Sequence, residues 1–165
     1  MLNDLGVKFD TDKSSIDHNY LDTYELVLKD LGVNSLLEIG IAGAQSLKMW
    51  SEYYPDAKIV GIDIREDYMY NSGNVESFLI NQHDVPALTE LQSKYSFDLI
   101  IDDGSHNWGD QMLSFFALFP YMKSGGIYII EDMHSSFNTA YDDGGCNPLN
   151  IFSNYKVFNI IDKVL

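Results

Sequence analysis

Basic residues are scarce in this chain: Lys and Arg number 10 against 25 Asp and Glu, a formal net charge of -15 at pH 7. A polyanion would be repelled over most of such a molecule, which argues against nucleic acid or an anionic membrane surface as partner; a neutral or cationic ligand fits better. Cysteine is nearly absent, with Cys146 alone, so an internal disulfide is excluded. The start, Met1-Leu2-Asn3-Asp4, is too acidic and too weakly apolar for a signal peptide, and together these features predict a reducing, cytoplasmic setting. No apolar run is long enough to span a membrane. No internal repeat or low-complexity segment is visible.

What is present is core-forming material. With 165 residues, 45% hydrophobic and 13% aromatic, the chain can bury one core and is too short for two ordinary domains, so a single domain over 1–165 is expected. Helix-like and strand-like segments alternate: a helix over Asp22–Leu31, strand Ser35–Ile39, helix Ala44–Tyr53, strand Lys58–Ile62, strand Val75–Ile80, helix Val85–Lys94, strand Phe97–Ile101, helix Trp108–Phe119 and strand Gly126–Ile130. This punctuation predicts an α/β fold, a Rossmann-like, doubly wound and mostly parallel sheet with helices on both faces. Continuously apolar strands such as Ile127-Tyr128-Ile129-Ile130 suit a sheet covered on both sides. Residues 1–34 read as a helical segment covering a cofactor, 35–132 as the core, and 133–165 as a substrate-side loop and terminal segment.

Chemistry is expected at the carboxyl ends of the strands, where ligands gather in open α/β sheets. The first strand runs through Leu36-Leu37-Glu38-Ile39-Gly40 into Ile41-Ala42-Gly43-Ala44, after which Ser46 opens a helical pattern. Small residues at 40, 43 and 44 let the backbone approach a ligand, and the helix N–H groups point at the same place. Acids close the other strands: Asp63, Asp102-Asp103 and Glu131-Asp132. Singly, each reads as a cap or turn residue. Jointly they describe a site, with Asp63 the candidate for the two ribose hydroxyls of a nucleoside, because a carboxylate accepts two hydrogen bonds side by side.

These residues resemble the class I S-adenosylmethionine-dependent methyltransferases over most of the chain. Within them the chain is similar to the metal-dependent sugar O-methyltransferases of macrolide and rhamnosyl natural products, through Thr11-Asp12-Lys13, His18-x-Tyr20, Leu37-Glu38-Ile39-Gly40, Gly61-Ile62-Asp63-Ile64, Gln82-x-Asp84, Ile101-Asp102-Asp103-Gly104-Ser105-His106 and Gly125-Gly126-x-Tyr128-x-Ile130-Glu131-Asp132. The resemblance implies that S-adenosylmethionine contacts Glu38, Gly40, Gly43, Ser46, Asp63, Gln82 and Asp102, with Asp84 by its adenine. Thr11, Lys13, Tyr20 and Tyr24 would close the site from the N-terminal segment. It also implies a magnesium ion on Asp103, Glu131 and Asp132, with His106 as general base.

The acids support the metal independently. Adjacent parallel strands lie roughly 5 Å apart, so carboxylates ending the fourth and fifth strands can converge on one cation. All-oxygen ligation suits magnesium better than zinc, and unpaired carboxylates would otherwise repel one another. A vicinal sugar diol could complete the shell. The plainer reading of His106 is a cap for the helix near Trp108, that of His18 and His83 a structural or cofactor-adjacent place, and that of Trp50, Phe115, Phe116, Phe119 and Tyr128 core packing. His134 reads either way, as a substrate ligand or as a partner of a carbonyl. The segment Phe137–Pro148 is the candidate substrate loop.

Two departures from the family pattern stand out. Ala44 occupies a position where glycine is usual, which tightens the turn or weakens cofactor binding. The antiparallel strand pair expected at the C-terminus is missing from Asn150–Leu165, so the fifth strand is expected to be an exposed edge, met by a homo-oligomer, a neighbouring domain of a longer chain or a terminal helix. The expected activity is sugar O-methylation; a catechol-type O-methyltransferase and a non-catalytic nucleoside-binding or assembly module are the alternatives.

Overall fold

The computed structural model describes residues 1–153. Its centre is a five-stranded parallel sheet of β1 (Ser35–Ile39), β2 (Lys58–Asp63), β3 (Val75–Leu79), β4 (Leu99–Asp102) and β5 (Ile127–Ile130), in the order β3-β2-β1-β4-β5. Among the described residues six α-helices accompany it: α1 (Leu2–Phe9), α2 (Leu21–Leu28), α3 (Gln45–Tyr53), α4 (Val85–Tyr95), α5 (Trp108–Leu118) and α6 (Pro148–Phe152). The Rossmann-like expectation holds, and each expected element is present within a few residues of its anticipated ends. Helix α1 was not anticipated as a separate element.

Alternation along the strands divides the core into two layers. Leu36, Ile59, Leu99 and Ile101 pack under α1, α2 and α3 with Leu21, Leu47 and Trp50. Leu37, Ile39, Val60, Ile62 and Ile100 pack under α4 and α5 with Leu88, Leu91 and Leu118. Because strand side chains alternate between faces, the same parity decides where the acids beyond these residues point.

Trp50 is fully buried, as core packing requires, but Phe116 and Phe119 are 58% and 46% exposed. The inward stripe of α5 carries Gln111, Ser114 and Leu118 instead, because this face meets a buried carboxylate, Asp102, as well as apolar side chains. Phe115 and Tyr128 are half-buried in an aromatic group with Phe119 and Phe152. Among the described residues no strand pairs with the outer edge of β5, and no antiparallel pair follows it. Of the segment Asn150–Leu165, in which a terminal helix was one expectation, residues 150–152 belong to α6 and the part beyond Ser153 lies outside the described residues.

Candidate active site

The strand order reverses between β1 and β4, and this switch point is where the acids meet. Glu38 shares the parity of Leu36, Asp103 that of Ile101, and Glu131 that of Ile127 and Ile129, so all three turn toward the α1–α3 layer. Asp102 has the opposite parity and enters the α4–α5 layer. There it accepts hydrogen bonds from Ser114 Oγ (2.6 Å), Tyr128 Oη (3.2 Å) and Gln82 Nε2 (3.3 Å). Burial pushes its pKa up to about 6 against these hydrogen bonds.

The N-terminal segment brings a cation to the three carboxylates. Helix α1 ends at Asp10 in a left-handed cap, and the following loop folds on itself: Lys13 O accepts from the backbone N–H of Tyr20 (2.9 Å), and Ser14 O from that of Asn19 (2.8 Å). Lys13, 1% exposed, thereby points inward. Its ammonium donates to Asp103 Oδ2 and to Glu131 Oε2 (2.9 Å) and lies 3.5 Å from Glu38 Oε1. Tyr24 Oη donates to Glu131 Oε1, and Tyr20 Oη to Asp132 Oδ1 (2.6 Å).

Three carboxylates around one ammonium leave the cluster anionic. Burial lifts Glu38 to about 7 and Glu131 to about 8, with Lys13 opposing both shifts, and burial also raises Asp103. Burial alone would lower the Lys13 pKa, yet Glu131, Glu38 and Asp103 together hold it well above its ordinary value. Neither Glu38 oxygen has a hydrogen-bond partner. Lys13 at 3.5 Å meets its charge, and its oxygens remain able to accept a donor from a ligand.

Beside this cluster, His106 Nε2 lies 3.5 Å from Asp132 Oδ2 and 4.0 Å from Asp103 Oδ1. Each of the three residues offers a ligand atom within 4.8 Å of the others. The Asp103 and Asp132 oxygens fit a hard divalent cation such as magnesium, whereas Glu131, the third expected ligand, lies outside this group with its oxygens held by Lys13 and Tyr24. His106 does not cap α5: Asn107 holds the N-cap position. Both His106 (φ 60°) and Asp132 (φ 54°) are left-handed, a conformation that Asp and His adopt more readily than most residues. His134 Nδ1 lies 3.8 Å from Asp132 Oδ1, and the Tyr141 ring meets that of His106 edge-on.

A cleft of about 250 Å³ opens over the β1 end, lined by Thr11, Lys13, Glu38, Gly40, Gly43, Ser46 and Asp103, and also by Asp10, Asp12 and Gln45. Gly40 is indispensable there: at φ 81° a Cβ would stand 2.1 Å from the Asp103 carbonyl oxygen. Ala44 adopts φ 62° and is buried in the core, so its methyl sits in a conformation that glycine adopts freely. Asp63 Oδ2 accepts the N–H groups of Ile41 (3.0 Å) and Ala42 (3.3 Å), fastening the loop.

Gln82, Asp84 and Asp102 do not line this cleft. Gln82 Oε1 holds Ser105 N (2.7 Å), Asp84 caps α4 through Ala87 N (3.1 Å), and His83 pairs with Asp110 (2.7 Å). Sequence reasoning missed Asp10, Asp12, Gln45 and Tyr141. Proximity to Thr11-x-Lys13 was a usable signal for the first two, whereas Tyr141 was covered only by the loop as a whole.

Known proteins resemble the chain in sequence and in fold. The chain is 34% identical over 146 residues to demethylmacrocin O-methyltransferase of Streptomyces fradiae, covering 82% of this chain and 37% of that protein. It is 32% identical over 154 residues to 8-demethyl-8-alpha-L-rhamnosyl tetracenomycin-C 2'-O-methyltransferase of Streptomyces olivaceus, covering 84% and 40%. The MycE methyltransferase of the mycinamycin biosynthetic pathway, solved in complex with Mg and SAH, superposes with a TM-score of 0.84 at 29% identity, over 92% of this chain and 43% of that one. The chain belongs to the class I S-adenosylmethionine-dependent methyltransferases. No family model matches it. This methyltransferase-family chain spans less than half the length of the curated relatives it matches.

Proposed function

We propose that this chain forms the cofactor- and metal-binding part of a magnesium-dependent O-methyltransferase that transfers a methyl group from S-adenosylmethionine to a sugar hydroxyl of a glycan or glycosylated natural product. The observation that carries this reading is the acidic cleft at the switch point, with the buried Glu38 in its wall and Asp103 shared with the His106–Asp132 group. Likeness to a protein named for a rhamnosyl substrate supports a sugar acceptor.

In this reading the cationic cofactor lies against Thr11, Lys13, Glu38, Gly40, Gly43 and Ser46, closed by Tyr20 and Tyr24. Asp63 accepts hydrogen bonds from its ribose hydroxyls while holding the glycine loop, whereas Gln82, Asp84 and Asp102 stand outside the cleft. Asp103, Glu131 and Asp132 hold the magnesium ion. When bound, the cofactor supplies an activated methyl group and the ion a positive charge that acidifies and orients a nearby hydroxyl. His106 receives the acceptor's proton at Nε2, with Asp132 beside it to stabilise the resulting imidazolium. The remaining contribution is alignment, since an activated methyl group needs an oxygen held in line more than it needs covalent help.

The acidic surface makes nucleic acid and membranes poor partners, and no helix among the described residues is long and apolar enough to cross a membrane. We place the protein in the cytoplasm, as a homo-oligomer or within a longer chain. Calorimetric binding of S-adenosylmethionine and its demethylated product, with and without magnesium, tests the reading on the wild type and on Asp63→Ala. Binding to the wild type that the variant loses is expected; no binding to the wild type refutes it. Sugar and catechol acceptors compared under the same conditions then separate the two enzyme classes.

A further inference from the structure

Lys13 is engaged with two of the three carboxylates assigned above to the magnesium ion. Its ammonium takes Asp103 Oδ2 and Glu131 Oε2 (2.9 Å), and Tyr24 Oη takes Glu131 Oε1, so neither oxygen of Glu131 is open. Asp103 Oδ1 and Asp132 Oδ2, by contrast, both face His106. Resting on the proposed metal site, we propose that Lys13 is a competing internal cation, which holds Asp103 and Glu131 when no divalent ion is bound and passes to Glu38 when one binds.

Two features carry this exchange. The ammonium is 1% exposed, so it cannot retire to water and must end on another acceptor. Glu38 provides one: Oε1 is 3.5 Å from Nζ, and both its oxygens lack a hydrogen-bond partner. A short movement of a flexible side chain turns that approach into a hydrogen bond and frees an oxygen of Glu131 and of Asp103. Glu38 also lines the cofactor cleft. Lys13 therefore transmits the state of the metal site to the cleft wall, and it acts as a positioning residue.

The test measures Mn2+ affinity, from the electron paramagnetic resonance signal of the free ion, for wild type, Lys13→Met and Glu38→Gln, together with a crystal structure of the wild-type chain at saturating Mg2+. Removing the competitor is expected to tighten Mn2+ binding by about tenfold or more, and neutralising the second acceptor to weaken it by a similar factor. In the magnesium-bound crystal, Nζ is expected within hydrogen-bond distance of Glu38 and away from Glu131. Equal affinities in the three proteins overturn the inference. So does an ion held by Asp103, His106 and Asp132 with Lys13 still on Glu131. A wild type that binds no Mn2+ refutes the metal site itself, and the exchange with it. Should Lys13→Met not fold, Glu38→Gln and the magnesium-bound wild type still decide.

Discussion

Replacing Lys13 by methionine isolates the electrostatics of the cluster, because the new side chain nearly matches the apolar stem of lysine while removing its charge. The ammonium is 1% exposed and faces Glu38, Asp103 and Glu131. Breaking a buried ion pair by removing one partner costs about 3–5 kcal/mol. The carboxylates can escape by taking up protons. Glu38 already stands at about 7 and Glu131 at about 8, and Lys13 opposes both shifts, so its loss drives both further up. A carboxylate raised in the folded state contributes stability that is full below its unfolded pKa and is lost as pH rises through the folded value. The penalty of Lys13→Met is therefore greatest in alkaline solution and shrinks as the cluster protonates. Urea and thermal unfolding followed by circular dichroism, without divalent ions, are expected to show a loss of about 3–5 kcal/mol near pH 8.5, a fall in Tm of about 6–20 °C, and a clearly smaller loss near pH 6. A loss below about 1 kcal/mol near pH 8.5, or one of equal size at both pH values, would refute the argument.

Asp102→Asn is expected to gain on the wild type as pH rises: the Asp102 pKa moves from its ordinary 3.8 to about 6, so the stability difference shifts toward the variant by about 2 kcal/mol between pH 4 and pH 7, whatever its constant offset. Urea titrations across that range check it, and a flat difference contradicts the burial of an ionisable Asp102. Gly40→Ala forces a Cβ against the Asp103 carbonyl; a loss of about 2 kcal/mol or more is expected in thermal unfolding. At the opposite end of the sheet, Asp98 Oδ2 accepts from Asn34 N (2.8 Å), Ser35 N (3.0 Å) and Lys123 Nζ (2.9 Å). Burial acts to raise its pKa, but Lys123 and the backbone donors hold it below its ordinary value. Asp98→Ala is expected to cost about 2–3 kcal/mol at neutral pH, and the ionised side chain's share of wild-type stability to be lost as pH falls below about 4.

The strands and their acidic ends were legible because they are local: β-branched and apolar runs closed by carboxylates need no tertiary information to be seen. Parity was legible in principle as well. Asp102 and Asp103 are consecutive residues at the end of one strand, so they must face opposite layers, and only which layer holds the cleft was open. Lys13 was expected near the cofactor from its motif. That its ammonium would reach Asp103 and Glu131, 90 and 118 residues away, depends on the α1–loop–α2 packing, which no short window contains. The exposure of Phe116 and Phe119 was hidden for a related reason: the inward face of α5 is chosen by Asp102, a partner from another strand.

The sequence by itself determined the alternation of elements, the parallel sheet and the acids at its carboxyl ends, because hydrophobic period and strand-end chemistry are properties of neighbouring residues. Tertiary structure alone decided how those acids are shared. The order β3-β2-β1-β4-β5 sets β1 beside β4 and β4 beside β5, and the N-terminal loop buries one ammonium among three of the carboxylates. Charges so placed interact through a poorly screening interior, and their balance depends on distances that only the fold sets.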